Sequence, residues 1–479
     1  MYSAEELKTG PQATLGSMQS PGRQRYDYLY LLVSALRLVR MHQLMRFDAS
    51  QKNLDPSFLG AIFSTHRSFG TAFFVTCFLT RVRLGIGVLL ACQLATATAA
   101  IDASVLQTAV VSADATERKD WHYGKKGLTY DPEGPTNLWV GIRLQTRFEV
   151  ESEQTSVADE LRRDQDSELD LNRGRLKGGG ALAVDWLDVY FEYNQPSDAL
   201  LDLRATLKFT DFLSLRIGQW KSEFNRERID SSGKQQMADR SMANYWFAID
   251  RQPGIALSGR LGRGTRGDSN WWVEYLSGQG RGGGWDSGSH LWLARYQWNP
   301  QGEPLPFSQS DLEHRERALT SVAVAVVDGE TPYSRFSGAG GSQLPGIIGD
   351  NQALTQFLFE TAAHWRGMSW QQEWHIKRLR DKELGTRLNL RGGYVQLGSF
   401  ISEWWALWPA RLELAGRLSI VDPDRSVTGN TEKERSIGLN WFFRGHRNKL
   451  TLDYSWLSAD DPVENGTRNR LRFQWELSL

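Results

Sequence analysis

The sequence predicts an all-β protein: a transmembrane antiparallel β-barrel of about 16 strands. Three observations carry that expectation. From residue 138 onward apolar and polar residues alternate with a period of two, the period of a strand. Most of the alternating segments run about 9–15 residues, enough for a tilted strand to cross a bilayer. Short and long connections alternate between them, which is how an outer-membrane barrel is strung, with turns in the periplasm and loops outside.

The first hundred residues differ from the rest. All 19 Trp follow position 120, whereas both cysteines, Cys77 and Cys92, precede position 100. Downstream there is no thiol for a disulfide, a nucleophile or a Cys-based zinc site. In 81–100, Arg81 and Arg83 precede an apolar run from Leu84 to Leu94 and a small-residue site, Ala97-Thr98-Ala99. That pattern predicts a secretory signal peptide over 80–100. Residues 1–79 would then be an extension produced by a mis-assigned start, with translation beginning near residue 80. Residues 101–137 are expected to form a periplasmic N-terminal segment, and 138–479 the barrel. Acidic and basic residues balance at 56 each, so bulk charge gives no support to nucleic-acid binding.

The strands are expected at 138–150, 167–177, 180–194, 200–209, 213–221, 254–262, 268–279 and 289–299. They continue at 318–328, 353–367, 368–381, 386–402, 409–422, 432–444, 448–459 and 467–479. The first reads LWVGIRLQTRFEV, with Leu138, Val140, Ile142, Leu144, Phe148 and Val150 on one face. The last reads TRNRLRFQWELSL, and its alternation does not fade, because the final strand of a closed barrel pairs with the first. Segments 167–177 and 353–367 alternate poorly. Turns are expected at 178–180, 210–212, 263–268, 366–369 and 444–448; longer loops fall at 151–166, 222–253, 279–289, 329–352, 422–432 and 459–467. Two connections break the rule: 300–317 is long where a turn is due, and 195–199 is short where a loop is due.

A soluble sheet alternates too, with its apolar face on a core. An exported soluble β-rich binding protein is therefore one rival. The leader, the Arg-rich polar face and the aromatic residues near strand ends (Trp404, Trp405, Trp408, Trp441, Tyr454, Trp456 and Trp475) favour lipid instead. A barrel hydrolase is the second rival, but no Ser-His-carboxylate spacing is legible. No cofactor is called for, and a metal shared by His364 and His375 has little support. GQGRGG at 278–283 matches a nucleotide-binding pattern, but no helix follows it.

Several stretches resemble the phosphate-selective porin (porin O and P) family of Gram-negative outer membranes. LRIGQWKSEFNRERI (215–229) is similar to the strand leading into that family's constriction loop, and ADRSMANYWFAIDRQPGIALSGRL (238–261) to the loop and its return strand. GGYVQLGSFI (392–401), RLELAGRLSIVDPD (411–424) and SIGLNWFFRGHRNKLTLDYSWL (436–457) are similar to its C-terminal strands. The resemblance implies a homotrimeric, sixteen-stranded channel in the outer membrane, among its lipid and lipopolysaccharide, with a long inward-folded constriction loop over 222–253. It also implies passive diffusion of small anions such as phosphate.

Residues alternating with the lipid face should line the lumen. That register turns Arg143, Arg147, Arg216, Arg260, Arg295, Lys377, Arg387, Arg391, Arg411, Arg417, Arg470 and Arg472 inward, against Glu149, Glu274, Glu360, Glu373, Glu413, Asp453 and Glu476. Guanidinium groups hold their charge and grip phosphate in a bidentate fork. The 222–253 loop adds Arg226, Arg228, Lys234, Arg240 and Arg251, matched by Glu223, Glu227, Asp230, Asp239 and Asp250. The expected selectivity set is Arg143, Arg147, Arg216, Arg226, Arg228, Lys234, Arg240, Arg251, Arg260, Arg295 and Arg417. The alternative is that these cations pair with neighbouring acids, hold the wall circular and pin the loop.

Overall fold

The computed structural model describes residues 120–155, 165–286, 288–344, 349–460 and 466–479. The expected leader at 80–100, the extension before it and residues 101–119 lie outside the described residues. A small hairpin, β1 (Trp121–Gly124) and β2 (Gly127–Tyr130), comes first. Then follow β3 (Asn137–Thr155), β4 (Gln165–Leu182), β5 (Val184–Asn194), β6 (Ala199–Thr210), β7 (Leu213–Lys221), β8 (Arg251–Leu261), β9 (Ser269–Leu276), β10 (His290–Trp298) and β11 (Leu319–Thr331). A second small hairpin, β12 (Arg335–Ser337) and β13 (Gly340–Ser342), sits in a loop. The wall resumes with β14 (Gln352–Trp365), β15 (Met368–Asp381), β16 (Arg387–Ser399), β17 (Leu412–Asp422), β18 (Glu432–Phe442), β19 (Asn448–Ala459) and β20 (Gly466–Ser478).

Leaving out the two hairpins, each strand pairs antiparallel with the next, and β20 closes on β3. The result is a closed barrel of sixteen strands, one for each segment expected from the alternation. Closure satisfies every wall strand's backbone groups, which lipid cannot do. Pairing reaches the last residue: Leu479 donates to the Ile142 carbonyl at 2.8 Å and accepts from the Ile142 amide at 3.0 Å. Beyond that point β2 takes over the same edge of β3, with Leu128 opposite Val140 and Tyr130 opposite Leu138.

Boundaries depart from expectation in several places. The glycines at 178–180 lie inside β4; the chain reverses at Ala183, with Leu182 opposite Val184. Their lack of side chains has a use there, because a Cβ on Gly178 would come within 2.4 Å of the Phe191 ring. The connection after β16 is a true loop, residues 400–411, and it contains Arg411. Arg251 opens β8 instead of closing the loop before it.

Two strands alternated poorly for identifiable reasons. In β14 both faces are apolar: Leu354 and Leu358 are buried inside, while Phe357 and Phe359 are exposed outside. In β4 a bulge leaves Asn172 unopposed, since Gln145 faces Arg173 and Thr146 faces Leu171. A bulge adds one residue and inverts the alternation beyond it. Arg387 and Arg391 were expected in the lumen but point outward. Arg391 lies opposite Ile376, which is half-exposed on the lipid side, whereas Leu390 and Tyr394 carry the buried face of β16.

Candidate functional site: the constriction loop and the cavity beside it

The connection between β7 and β8, residues 222–250, folds into the lumen. It contains two short helices, α1 (Arg226–Ile229) and α2 (Met242–Phe247), and a 3-10 turn at Ser232–Lys234. The Ser241 hydroxyl caps α2 by accepting from the Asn244 amide, and donates to Glu227 at 2.6 Å. Such side-chain caps supply partners that a helix terminus lacks.

The loop is held across the far wall by carboxylates that accept its amides. The Glu223 amide donates to Glu274 at 3.2 Å, Arg226 to Glu360 at 3.0 Å and Glu227 to Glu373 at 2.6 Å. Further along, the Ala238 amide donates to Asp453 and the Met242 amide to Glu434, both at 2.6 Å. The Gln236 side chain donates to Glu413 and the Trp246 indole to Glu432. These acids extend from β9 to β19, so the sequence's inward carboxylates act largely as a clamp. Charge-assisted bonds of this kind are stronger than neutral ones.

Apolar packing completes the seal. Phe224, Ala243, Trp246, Phe247 and Ile249 of the loop bury themselves against Leu276, Leu291, Leu293, Leu354, Leu358, Leu390 and Tyr394 of the wall. The Phe247 ring stacks on His375 at 4.9 Å. From below, the long turn at 299–318 rises to meet the loop. The Gln309 amide donates to the Lys234 carbonyl, its side chain donates to Gln235 and accepts from the Gln236 amide, and Ser310 donates to Glu413. This explains why that turn is longer than its neighbours.

On the opposite side, against β4–β8, the loop leaves open space. A cavity of about 450 Å³ is lined by Arg173, Arg175, Lys221, Arg228, Arg240, Arg251 and Arg281, with Asn172, Asn194 and several small residues between them. Among the described residues no carboxylate lines it. Behind the lining, Glu192 pairs with Arg175, Asp250 with Arg228, and Asp202 with Arg251 at 2.9 Å. Three cations have only carbonyl partners among the described residues. Lys221 donates to the carbonyls of Ile229 and Asp230, Arg240 to those of Glu227 and Asp230, and Arg281 to those of Gly338 and Ala339. Their charge is not offset by an ion pair, so the cavity carries a positive field focused by low-dielectric walls.

The sequence-predicted cations divide accordingly. Eight are ion-paired. Arg143 pairs with Glu476, Arg147 with Asp239 at 2.7 Å, Arg216 with Glu223 and Arg228 with Asp250. Arg251 pairs with Asp202, Arg260 with Asp268, Arg295 with Glu360 at 2.5 Å and Arg417 with Glu434 at 2.6 Å. Arg260 sits apart, its ion-pair partner and the Gly302 carbonyl both lying in turns at the end opposite the loop. Arg226 donates to the Pro306 carbonyl over the Phe307 ring, and Lys234 is exposed. Arg240 alone of the eleven both lines the cavity and lacks an ion-pair partner.

Four cavity cations escaped the sequence reading. Arg173 and Arg175 lie past the β4 bulge, where alternation misleads. Lys221 ends β7. Arg281 comes from the GQGRGG stretch dismissed as a nucleotide motif. Gly278, Gly280 and Gly282 there all have φ near +75°, a tight backbone path that only glycine takes freely. That path carries Arg281 over the cavity mouth.

Burial and charge shift the loop's own acids in opposite directions. Burial pushes Asp230 up to about 6, against the pull of Lys234, Lys221 and Arg240. Burial likewise raises Glu227 to about 7 despite Arg417. At Asp239 burial is overcome by Arg147 and Arg472, which hold the carboxyl far below its usual range.

A closed barrel with an apolar exterior, an indrawn loop and a basic lumen is a diffusion channel of an outer membrane. A family model for the phosphate-selective porins O and P matches residues 142–476. The chain belongs to that family. It is therefore an outer-membrane porin of the Gram-negative type that favours anions such as phosphate, and a channel, not an enzyme. Among solved structures it is similar to an anion-selective porin from Comamonas acidovorans, with TM-score 0.46, 10% identity, and 71% of this chain and 99% of that one covered. It is also similar to in-vitro folded OmpT of Vibrio cholerae, with TM-score 0.46, 10% identity, and 77% and 100% covered. OpdK of Pseudomonas aeruginosa aligns with TM-score 0.36, 11% identity, and 71% and 99% covered. No curated protein matches the chain.

Proposed function

We propose that anions cross this porin through the cavity between the constriction loop and the β4–β8 wall, and that Lys221, Arg240 and Arg281 set its selectivity. One observation carries the reading: among the described residues the cavity is lined by seven cations and no carboxylate. Several weak sites along a path suit conduction, because an ion must leave as readily as it enters. The ion-paired arginines, Arg143, Arg147, Arg216, Arg295 and Arg417 among them, are structural members of the wall in this reading. Chloride-over-potassium permeability, measured from the reversal potential in planar bilayers, should exceed one. Phosphate added to the bath should reduce the chloride current. A cation preference would refute the reading.

Assembly as a homotrimer and export by the leader at 80–100 are part of the same proposal, supported by the family resemblance and the leader pattern. Native mass spectrometry of the detergent-solubilised protein tests the first. N-terminal sequencing of the mature chain tests the second, and a mature chain retaining residues before 90 would contradict it.

A further inference from the structure

The alternation of β15 and β16 carries charge onto the wrong face. In β15, Trp374 and Ile376 point to lipid; continuing the same face toward the loop end come Arg378 and Arg380. The opposite face of that stretch holds the buried Lys377, Leu379 and Asp381. In β16, Leu397 and Val395 face lipid, and the same face continues to Arg391, Asn389 and Arg387. The two rows meet in register: Arg380 is directly opposite Arg387, and Arg378 is opposite Asn389. Like charges placed directly across a ladder repel.

Among the described residues no carboxylate pairs with either arginine to relieve that repulsion. Nearby cations are matched: Arg391 pairs with Asp422 at 3.1 Å, Lys382 with Glu330 at 2.8 Å and Lys433 with Asp460 at 2.5 Å. Arg378, Arg380 and Arg387 are exposed and have no ion pair or side-chain hydrogen bond among the described residues. They stand outside the closed wall, so they cannot serve the pore. They stand at the loop end of the strands, which the asymmetry of turns and loops places outside the cell. That is the level of the outer leaflet's headgroups, with exposed Trp374 and Ile376 below at the depth of acyl chains.

We propose that Arg378, Arg380 and Arg387 form a binding site on the barrel's exterior for a phosphorylated glycolipid of the outer leaflet. One phosphate bridges the opposed Arg380 and Arg387, and the acyl chains lie along Ile376, Trp374 and Leu397. Two guanidinium forks converging on one phosphate give short, charge-assisted bonds. Basic clusters at a membrane surface recognise anionic headgroups in this way. The proposal rests on the barrel's orientation in the membrane, not on the path an anion takes through it.

The test uses the full-length protein, purified in detergent, with lipopolysaccharide and its enzymatically dephosphorylated form as probes and native mass spectrometry as readout. Wild-type protein should retain lipopolysaccharide at least tenfold more strongly than the dephosphorylated form. Arg380→Gln with Arg387→Gln should abolish that difference, while Arg380→Lys with Arg387→Lys should keep part of it. Heat-modifiable migration on gels and unchanged anion selectivity would show that the Gln variant is folded and that the pore reading is unaffected. Equal retention of the two probes by wild type would overturn the proposal, and so would equal retention by wild type and the Gln variant. Loss of oligomers in the Gln variant, with glycolipid retention intact, would assign the patch to a second copy and would also overturn it.

Discussion

The two halves of the barrel wall hold the same loop in opposite ways. Along β9–β19 the wall grips it. Carboxylates accept its amides, and leucines and a tyrosine pack its rings. Along β4–β8 the wall stands off, and the space between is lined by cations. The difference teaches that charge in a lumen has two uses that a sequence does not distinguish. A cation with a carboxylate partner fixes shape. A cation whose partners are carbonyl oxygens keeps its charge available to a passing ion.

The largest effect is expected where the grip is apolar. Phe247 is fully buried on the ring of His375, and Phe247→Ala should cost about 3–5 kcal/mol. The readout is a lower temperature of heat-modified migration, together with larger and noisier single-channel currents as the loop loosens. An unchanged channel would mean the loop is not held by this packing.

Next comes the buried pair of Arg295 and Glu360 in the gripped half. Arg295→Met strands a buried carboxylate and should destabilise by about 3–5 kcal/mol. Its permeability ratio should nevertheless stay within about twofold of wild type, since neither Arg295 nor the stranded Glu360 lines the cavity. The reverse pattern, stable protein with lost selectivity, would erase the distinction between the halves.

In the open half, Lys221→Met or Arg240→Gln should leave stability nearly unchanged. Each should lower chloride-over-potassium permeability by at least ~3-fold, because one charge near 6 Å from an ion is worth ~0.7 kcal/mol in water and more in a cavity.

A smaller effect follows from pH. Asp230 titrates near 6 in the fold against 3.8 for the free side chain, and Glu227 near 7 against 4.5. Between those values the folded protein holds protons that the unfolded chain gives up. Stability contributed by these groups is therefore complete at low pH and falls as pH rises from about 4 to 7. Over the upper part of that window the two carboxyls gain charge beside Arg240, so chloride preference should fall as pH is raised from 5 to 8. Chloride is the right probe because it does not itself titrate.

The smallest effect is at the exposed turn pair of Arg263 and Asp211, 3.2 Å apart. Arg263→Ala should alter stability by less than about 0.5 kcal/mol and selectivity not at all. It serves as the control for the series.

Much of the barrel was legible because lipid imposes alternation on every strand. All sixteen strands and the closure through 467–479 follow from that single constraint; the indrawn loop was legible only through the family resemblance of 215–229 and 238–261. The failures have physical causes. Leu354 and Leu358 blur β14 because its inner face meets loop side chains instead of water. Asn172 shifts β4 by one residue and hides Arg173 and Arg175. Arg387 and Arg391 are turned inward by a register that puts Leu388 and Leu390 on lipid, whereas those leucines pack against the buried core inside the barrel. The selectivity set was legible in type and poorly legible in role, because pairing depends on contacts far apart in sequence. Arg417 meets Glu227, and Arg147 meets Asp239, through the folded loop.

The most direct test neutralises the three unpaired cavity cations together, as K221M/R240Q/R281Q, and measures the reversal potential in a KCl gradient. If anions travel between the loop and the β4–β8 wall, the wild-type potential lies on the chloride side and the triple variant moves to zero or beyond. A triple variant that folds, conducts and reverses at the wild-type potential would place the anion path elsewhere.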